Sequence, residues 1–191
     1  MKCENVANIG FIMDSSGSLR RHYGKEKEFV KALAQSFAIA EAGSRAGVVT
    51  FSYNAEVSIR MDQFKKLADF KKAVDSIPLM GYTTRIDKAL RLAKGKLMIG
   101  ARKDAPKLIF LLTDGSQTKD SDAVDPAVLA KELRDDGIKL IVIGIGKGTK
   151  LDELERIAGT SSNVYMAKDF NALISSAFVE NVAKAGCRKS K

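Results

Sequence analysis

The chain has 191 residues, enough for one domain with a sizeable core, and its 45% hydrophobic and 29% charged content is ordinary for a globular protein. No apolar run approaches the roughly 20 residues of a membrane-spanning helix, and the N-terminus lacks the apolar stretch of a signal peptide. The net charge is +9, and most of the basic residues are scattered along the chain. This distribution is typical of solvated helix faces, or it could attract acidic polysaccharide, acidic matrix protein or an anionic surface. Nucleic acid is not expected as a partner, because no RNA-binding signature or zinc knuckle occurs.

Short apolar runs alternate along the chain with longer stretches whose apolar residues recur at helical spacing. The runs predict strands at 6–13, 45–52, 55–61, 106–115, 139–146 and 163–167. The longer stretches predict helices at 26–42, 63–77, 85–98, 125–137, 150–159 and 169–186. Asp169 is the predicted N-cap of the last of these helices.

This alternation predicts a doubly wound α/β fold, with a mostly parallel central sheet and helices on both faces. The strand at 55–61 follows its predecessor across a short turn, so we expect an antiparallel hairpin at one edge of the sheet. The whole chain, 1–191, reads as a single domain with a core over about 6–186 and a basic tail at 188–191. In such sheets ligands bind beyond the carboxyl ends of the strands.

Two polar clusters stand at predicted strand ends. The first is DSSGS, which supplies Asp14, Ser16 and Ser18 after the first strand, and the second is TDGS, which supplies Asp114 at the end of the fourth. Carboxylate and hydroxyl oxygens are hard donors that suit Mg²⁺. The first cluster alone is also typical of a helix N-cap, so the metal interpretation depends on the pairing with Asp114.

Two enzymatic interpretations are weaker. The segment GIGKGT at 144–149 half-resembles a dinucleotide fingerprint, but Thr149 stands in place of the third glycine. Ser15 or Ser16 could act as a nucleophile only with a base, and the one histidine, His22, has no evident orienting partner. We therefore expect no enzymatic activity.

The two cysteines, Cys3 and Cys187, bracket almost the whole chain. Termini of a compact domain are often close together, so a disulfide between them is feasible and would close a very long loop in an oxidising compartment. The alternative is a pair of unpaired thiols in a cytosolic protein.

A third segment, GYTTRIDKAL at 81–90, completes a pattern of three parts in fixed order: D-x-S-x-S, a threonine loop and T-D-G. With these parts the chain resembles the von Willebrand factor type A domains that carry a metal-ion-dependent adhesion site. Alignment of the threonine loop on Ala89 and Leu90 selects Thr84 rather than Thr83. The resemblance covers almost the whole chain and implies a Rossmann-like fold.

The resemblance also implies a metal site with a division of roles. Its residues would be Asp14, Ser16, Ser18, Thr84 and Asp114, and its ion Mg²⁺, or Mn²⁺ or Ca²⁺ in its place. The two serines would bind the ion directly, the threonine directly or through water, and the two aspartates largely through water.

The threonine loop departs from the common family pattern, because Tyr82, Ile86 and Asp87 replace a glycine, a threonine and a glycine. None of these changes removes an expected metal ligand. We predict that Tyr82, Arg85 and Asp87 form a rim that contacts a partner.

The family resemblance implies an adhesion module of a secreted, extracellular matrix protein. The cysteines resemble those that flank the matrix versions in matrilins, collagen VI and cochlin, which implies that Cys3 pairs with Cys187. The expected partner is a matrix protein such as collagen, held by an acidic side chain on the ion, with no nucleic acid and no membrane insertion. Alternatives are metal-independent binding of collagen or acidic polysaccharide through a side face or basic surface, and an intracellular scaffold domain.

Overall fold

A six-stranded sheet forms the centre of the computed structural model, which describes Cys3 and residues 5–187; the predicted basic tail, 188–191, lies outside them. The strands are β1 (Asn8–Asp14), β2 (Arg45–Phe51), β3 (Ala55–Ile59), β4 (Lys107–Thr113), β5 (Ile138–Ile145) and β6 (Val164–Ala167). Their order is β3-β2-β1-β4-β5-β6, and all neighbours pair in parallel except β2 and β3. The predicted fold class, including the antiparallel edge strand, is confirmed.

Helices cover both faces of the sheet. They are α1 (Tyr23–Gln35), α2 (Leu67–Asp75), α3 (Ile86–Leu92), α4 (Pro126–Asp135), α5 (Leu151–Ala158), α6 (Phe170–Leu173) and α7 (Ser176–Cys187). A π-helical turn, Ala93–Leu97, continues α3. Within Cys3 and residues 5–187, no helix combines the length and apolar character needed to cross a membrane.

The first predicted helix ends seven residues early, at Gln35 rather than residue 42. The chain after it is held by other partners: Cys3 N donates to Ser36 O at 2.7 Å, and Ser44 N donates to Ala38 O at 2.8 Å. Phe37 is buried in the core from this irregular segment. The apolar residues at 36–42 therefore have helical spacing in the sequence, although this segment packs on the core without forming a helix.

The last predicted helix, 169–186, is two helices. Asp169 caps α6 as predicted, since its Oδ1 accepts from Ala172 N at 2.8 Å. The break falls at Ser175, whose N donates to Ala172 O and whose Oγ accepts from Phe178 N at 3.3 Å. A serine that hydrogen-bonds the backbone in this way favours a helix start over a helix interior.

The sheet separates two apolar layers. One layer packs β-strand residues such as Phe11 and Phe110 against α1, α2 and α7, and the other packs residues such as Ile12 and Leu111 against α3, α4 and α5. Phe11 and Phe110 are register partners, with ring centroids 5.7 Å apart. Each fully buried side chain of this size contributes about 1.5–3 kcal/mol. This packing fixes β1 beside β4, so the loops that follow them emerge side by side.

A disulfide joins Cys3 to Cys187, whose Cα atoms are 5.3 Å apart. The predicted pairing is confirmed, and the alternative of two unpaired thiols is wrong. The two cysteines are 184 positions apart in the sequence. The bond therefore closes a very long loop, which restricts the unfolded chain more than a short loop would.

Replacing both Cys3 and Cys187 with serine should lower the free energy of unfolding by about 2–5 kcal/mol, because the unfolded chain regains the entropy that the long closed loop removes. Urea unfolding followed by circular dichroism measures the change. Reducing agent should lower the stability of the natural protein and leave the double variant unchanged. Equal stability of the two proteins under oxidising conditions would contradict the stabilising role of the bond.

Candidate metal site

Asp14 is the last residue of β1 and is completely buried at the carboxyl edge of the sheet. Its Oδ1 accepts a hydrogen bond from Ser16 N at 2.9 Å, which turns the chain out of the strand. Its Oδ2 accepts from Thr113 Oγ1 at 2.6 Å, which ties it to the end of β4. Both carboxylate oxygens of Asp14 are therefore held in place by the protein itself.

The serines of the first loop connect Asp14 to the second loop. Ser16 Oγ lies 3.1 Å from Ser18 Oγ, and Ser18 Oγ donates to Asp114 Oδ1 at 2.9 Å. Gly17 N donates to Tyr82 O at 2.8 Å, so the third segment is docked against the same loop. Hydrogen bonds thus connect four of the five predicted metal-site residues, through the backbone N–H of Ser16 and then through three side-chain oxygen atoms.

Thr84, the fifth predicted residue, lies at the same edge. Its Oγ1 faces Gly115, the residue that follows Asp114. A β-carbon built on Gly115 would lie 3.5 Å from Thr84 Oγ1. Its backbone is fixed by a pair of bonds, from Thr84 N to Thr118 Oγ1 at 3.0 Å and from Thr118 N to Thr84 O at 2.8 Å. Thr83, by contrast, is exposed.

Ser15 faces inward and has a structural role. Its side chain is completely buried, and its Oγ accepts from Met80 N at 2.8 Å. Its carbonyl accepts from Gly81 N at 2.8 Å. The hydroxyl therefore anchors the 80–82 segment and is separate from the row formed by Ser16 and Ser18.

Packing accounts for the glycine-rich exit of β5. A β-carbon on Gly148 would lie 2.3 Å from Asp114 O, so only glycine allows this loop to approach the second metal-site loop. A β-carbon on Gly144 would lie 2.5 Å from Leu154 Cδ1, which shows that this glycine lets α5 pack against the strand. These glycines serve close packing, and the segment needs no nucleotide to explain it.

His22 contacts an aromatic ring rather than a candidate nucleophile. Its ring stacks on Phe170, with centroids 4.5 Å apart and an interplanar angle of 11°. Within the part of the chain that the structure describes, neither Ser15 nor Ser16 forms a hydrogen bond to this histidine. The geometry therefore provides no serine–histidine pair.

The site carries an excess of acid. Burial raises the pKa of Asp14 to about 6, against the lowering effect of hydrogen bonds from Ser16 and Thr113. Burial also raises the pKa of Asp114, although Ser18 hydrogen-bonds to it. Among the described residues, no lysine or arginine forms an ion pair with either aspartate.

Glu26 adds a third acid close to Asp14 and Asp114, and it was not among the predicted site residues. It is completely buried on α1 and forms no ion pair with a lysine or arginine among the described residues. Burial, followed by the charges of Asp14 and Asp114, raises its pKa well above the usual value, which favours the protonated form. Helical spacing could have found it, because Glu26 shares the apolar stripe of Phe29 and Val30.

This donor set fits a hard divalent cation. Hydroxyl and carboxylate oxygens converge at the strand ends, and a nearby positive charge would favour the ionised forms of both aspartates. No group of three or more His, Cys, Asp or Glu residues suited to a metal occurs within Cys3 and residues 5–187. A metal here would therefore depend on the serine and threonine hydroxyls.

Arg85 and Asp87 form a buried ion pair, so the prediction that they belong to an exposed rim is wrong. Arg85 is 1% exposed and Asp87 is 2% exposed. The pair is bidentate, with Arg85 Nε 2.9 Å from Asp87 Oδ1 and Nη2 2.8 Å from Oδ2. Of the three predicted rim residues, only Tyr82, which is 72% exposed, is available at the surface.

The same arginine clamps the loop after β4. Arg85 Nη1 donates to Asp120 Oδ2 at 3.0 Å and to Asp122 Oδ1 at 2.8 Å. Asp87 Oδ1 accepts from Gln117 Nε2 at 2.7 Å, and its Oδ2 accepts from Val124 N at 3.2 Å. These bonds hold the segment after Asp114 against the start of α3, which also carries Thr84 at its entrance.

The fold and the polar edge together define an α/β module with a candidate cation site where the β1 and β4 loops meet. Residues 8–179 match the family model of the von Willebrand factor type A domain, and the chain belongs to that family. It is 31% identical to the collagen alpha-6(VI) chain of Mus musculus over 87% of this chain, and 27% identical to cuticlin-6 of Caenorhabditis elegans over 88%. The aligned region spans 7% and 29% of those two proteins.

Solved structures of a matrix protein have the same fold as this chain. Proximal thread matrix protein 1 from the mussel byssus superposes with a TM-score of 0.90 and 30% identity, covering 97% of this chain and 48% of that one. A further structure of the byssal protein, with a TM-score of 0.89 and 29% identity over 97% of this chain and 49% of that one, has a zinc-occupied metal-ion-dependent adhesion site motif. The matrix relatives agree with the predicted extracellular-matrix location.

The Arg85–Asp87 pair gives a stability prediction with a defined pH dependence. Burial alone would raise the pKa of Asp87, but bonds from Arg85, Val124 and Gln117 outweigh it and lower the pKa to about 2. Because this lies below the ordinary value of 3.8, the stabilisation is complete above that value and is lost as the pH falls towards 2.

Asp87→Asn should therefore lower the free energy of unfolding at pH 7 by about 3–5 kcal/mol, because it leaves a buried guanidinium without its main partner. The difference from the natural protein should shrink as the pH falls below about 4. Asp104→Asn, at an exposed aspartate, is the matched control and should change little. Chemical denaturation at several pH values measures both variants, and an Asp87→Asn protein of natural stability at pH 7 would contradict the clamp.

Proposed function

We propose that this chain is a non-enzymatic adhesion module that holds a divalent cation through Asp14, Ser16, Ser18, Thr84 and Asp114. The observation that carries the proposal is the row of oxygen atoms from Ser16 through Ser18 to Asp114, with Asp14 bonded to the backbone of Ser16, across two neighbouring strand ends. A helix cap would need only the first loop. Helix capping explains neither the participation of the second loop nor the lack, among the described residues, of a lysine or arginine partner for Asp14 and Asp114, whereas a bound cation explains both.

The hydrogen bonds support different roles for the hydroxyls and the carboxylates. Both oxygens of Asp14 already accept bonds from the protein, which suits a residue that orients the site through its neighbours or through water. Ser16 and Ser18 are the direct ligands in this proposal, and Thr84 completes the set. Neutral hydroxyl ligands leave more of the ion's positive charge available to a ligand from outside.

Mg²⁺ is the proposed ion, because hard oxygen donors and retained waters suit its octahedral preference, and Mn²⁺ shares that preference. When bound, the ion would supply an open coordination position for a carboxylate oxygen of a partner. Tyr82 is the exposed aromatic side chain beside this position, and its carbonyl accepts from Gly17 N at 2.8 Å. We assign it to partner contact, since exposed aromatic rings bury large areas at interfaces.

The proposed partner is an extracellular matrix protein, with collagen as the leading candidate, that presents an Asp or Glu side chain. Relatives named as collagen VI chains and as a byssal thread matrix protein support this class of partner. The Cys3–Cys187 disulfide supports an oxidising, extracellular location over an intracellular scaffold.

Asp14→Ala, Asp114→Ala and Thr84→Ala should each weaken Mg²⁺ binding by about tenfold or more, because each removes a ligand or a group that orients one. Thr83→Ala is the matched control for Thr84→Ala, since Thr83 is adjacent, exposed and outside the oxygen row. Isothermal titration with Mg²⁺ and Mn²⁺ measures affinity, and circular dichroism checks that each variant is folded.

Binding to immobilised collagens should require Mg²⁺ and be lost in EDTA and in the Asp114→Ala variant. Solid-phase binding of the natural chain with and without EDTA is the measurement. Collagen binding that survives EDTA, or Mg²⁺ affinity that is unchanged in a folded Asp114→Ala protein, would overturn the proposal.

A further inference from the structure

A groove of about 570 Å³ lies between the edge strand β3 and the outer face of α3, apart from the candidate metal site. Its floor includes Ala55 and Leu92, and its walls include Lys88, Arg91 and Lys96. We call it the basic groove. It is shallow and open to solvent, which suits an extended chain better than an enclosed small molecule.

The cations of the basic groove are not neutralised by the protein. No ion pair with another of the described residues is formed by any of the three, Lys88, Arg91 and Lys96. Lys94, on the same segment, differs because it pairs with Glu132 at 2.6 Å. Three positive charges on one groove, each without an ion-pair partner among the described residues, favour a polyanionic ligand.

The nearest acids are engaged elsewhere. Asp122 lies within electrostatic range of Lys88 but already pairs with Arg85 at 2.8 Å. Glu56 follows Ala55 in β3, so its side chain points to the opposite face of the sheet, where it accepts a bond from Ser58 Oγ at 3.3 Å. Among the described residues, none of the three groove cations therefore has an acid as an ion-pair partner.

An exposed aromatic side chain, Tyr53, precedes the groove residue Asn54 and contacts the groove residue Lys88. Tyr53 is 49% exposed, and Lys88 Nζ lies 4.1 Å from the centroid of its ring. An exposed ring beside a cation presents a flat apolar surface and a charge together. This combination fits the apolar face of a sugar ring that carries an anionic group.

A π-helical turn contributes to one wall of the groove. The π-helical turn, Ala93–Leu97, places the exposed Gly95 at the wall, and a β-carbon added there would meet nothing within 4 Å. π-helical turns inside helices are frequent at functional sites. The other boundary, β3, is the last strand of the sheet and pairs only with β2 among the described strands.

We propose that the basic groove binds a sulfated polysaccharide chain, independently of the metal site. Regularly spaced sulfates would pair with Lys88, Arg91 and Lys96, and a sugar ring would stack on Tyr53. The shallow floor has no deep pocket for peptide side chains, which favours a polysaccharide over an acidic peptide added to the edge of β3. The net charge of +9 would speed the encounter with either polyanion.

Heparin is the probe, and the full chain is measured by surface plasmon resonance and by salt elution from immobilised heparin. The triple variant Lys88→Gln, Arg91→Gln, Lys96→Gln should bind about tenfold or more weakly and elute at lower salt. The control triple variant Lys66→Gln, Lys72→Gln, Lys103→Gln removes the same charge from exposed lysines that lie outside the groove. It should lose no more than about twofold.

EDTA separates this proposal from the adhesion site, since heparin binding should be equal with Mg²⁺ and with EDTA and unchanged in Asp114→Ala. Tyr53→Ala should weaken heparin binding without altering the net charge. Equal losses in the two triple variants would overturn the proposal, because attraction would then be general. Binding of polyaspartate or of desulfated heparin as tight as that of heparin would also overturn it.

Discussion

The hydrogen bond from Thr113 Oγ1 to Asp14 Oδ2, 2.6 Å long and completely buried, joins the two strand ends on which the candidate metal site is built. It forms because β1 and β4 lie side by side in parallel, with their inner faces packed through Phe11 and Phe110. The apolar core therefore decides which two loops meet, and the hydroxyl of Thr113 fixes the orientation of the carboxylate between them. The row of Ser16, Ser18 and Asp114 follows from that alignment.

Two kinds of electrostatic arrangement surround this joint. On one side, Asp14 and Glu26 are buried acids whose pKa values are raised, so the folded chain holds carboxyl groups that a cation would favour in their charged form. On the other side, Arg85 satisfies Asp87 and reaches two aspartates of the loop after β4. The acids of the first arrangement form no ion pair with a lysine or arginine among the described residues, whereas the charges of the second hold a loop in place.

The strand ends that carry Asp14 and Asp114 were predictable, because short apolar runs and parallel pairing are properties of the sequence. Thr84 needed the family pattern, since nothing in its local spacing separates it from Thr83. The burial of Arg85 could not be predicted, because it depends on how the distant segment at 117–124 folds over it. A charged residue in a loop is usually exposed, and here three aspartates make burial possible.

Glu26 shows the opposite case, in which the signal was present but outweighed by residue type. Its spacing from Phe29 and Val30 placed it on the buried face of α1, although glutamate is rarely buried without an ion-pair partner. The early end of α1 at Gln35 arises from tertiary bonds to Ser36 and Ala38, which helical spacing does not record. Local periodicity therefore predicts that a helix or strand is present more accurately than it predicts the residues at which the element ends.

The most direct test of the central claim is a crystal structure of the chain grown with Mn²⁺, with the ion located by its anomalous scattering. We predict one strong peak within coordination distance of Ser16 Oγ and Ser18 Oγ, with Thr84 beside it and Asp14 about one water molecule away. Crystals that contain Mn²⁺ at other residues, or show no peak between the β1 and β4 loops at saturating Mn²⁺, would contradict the account.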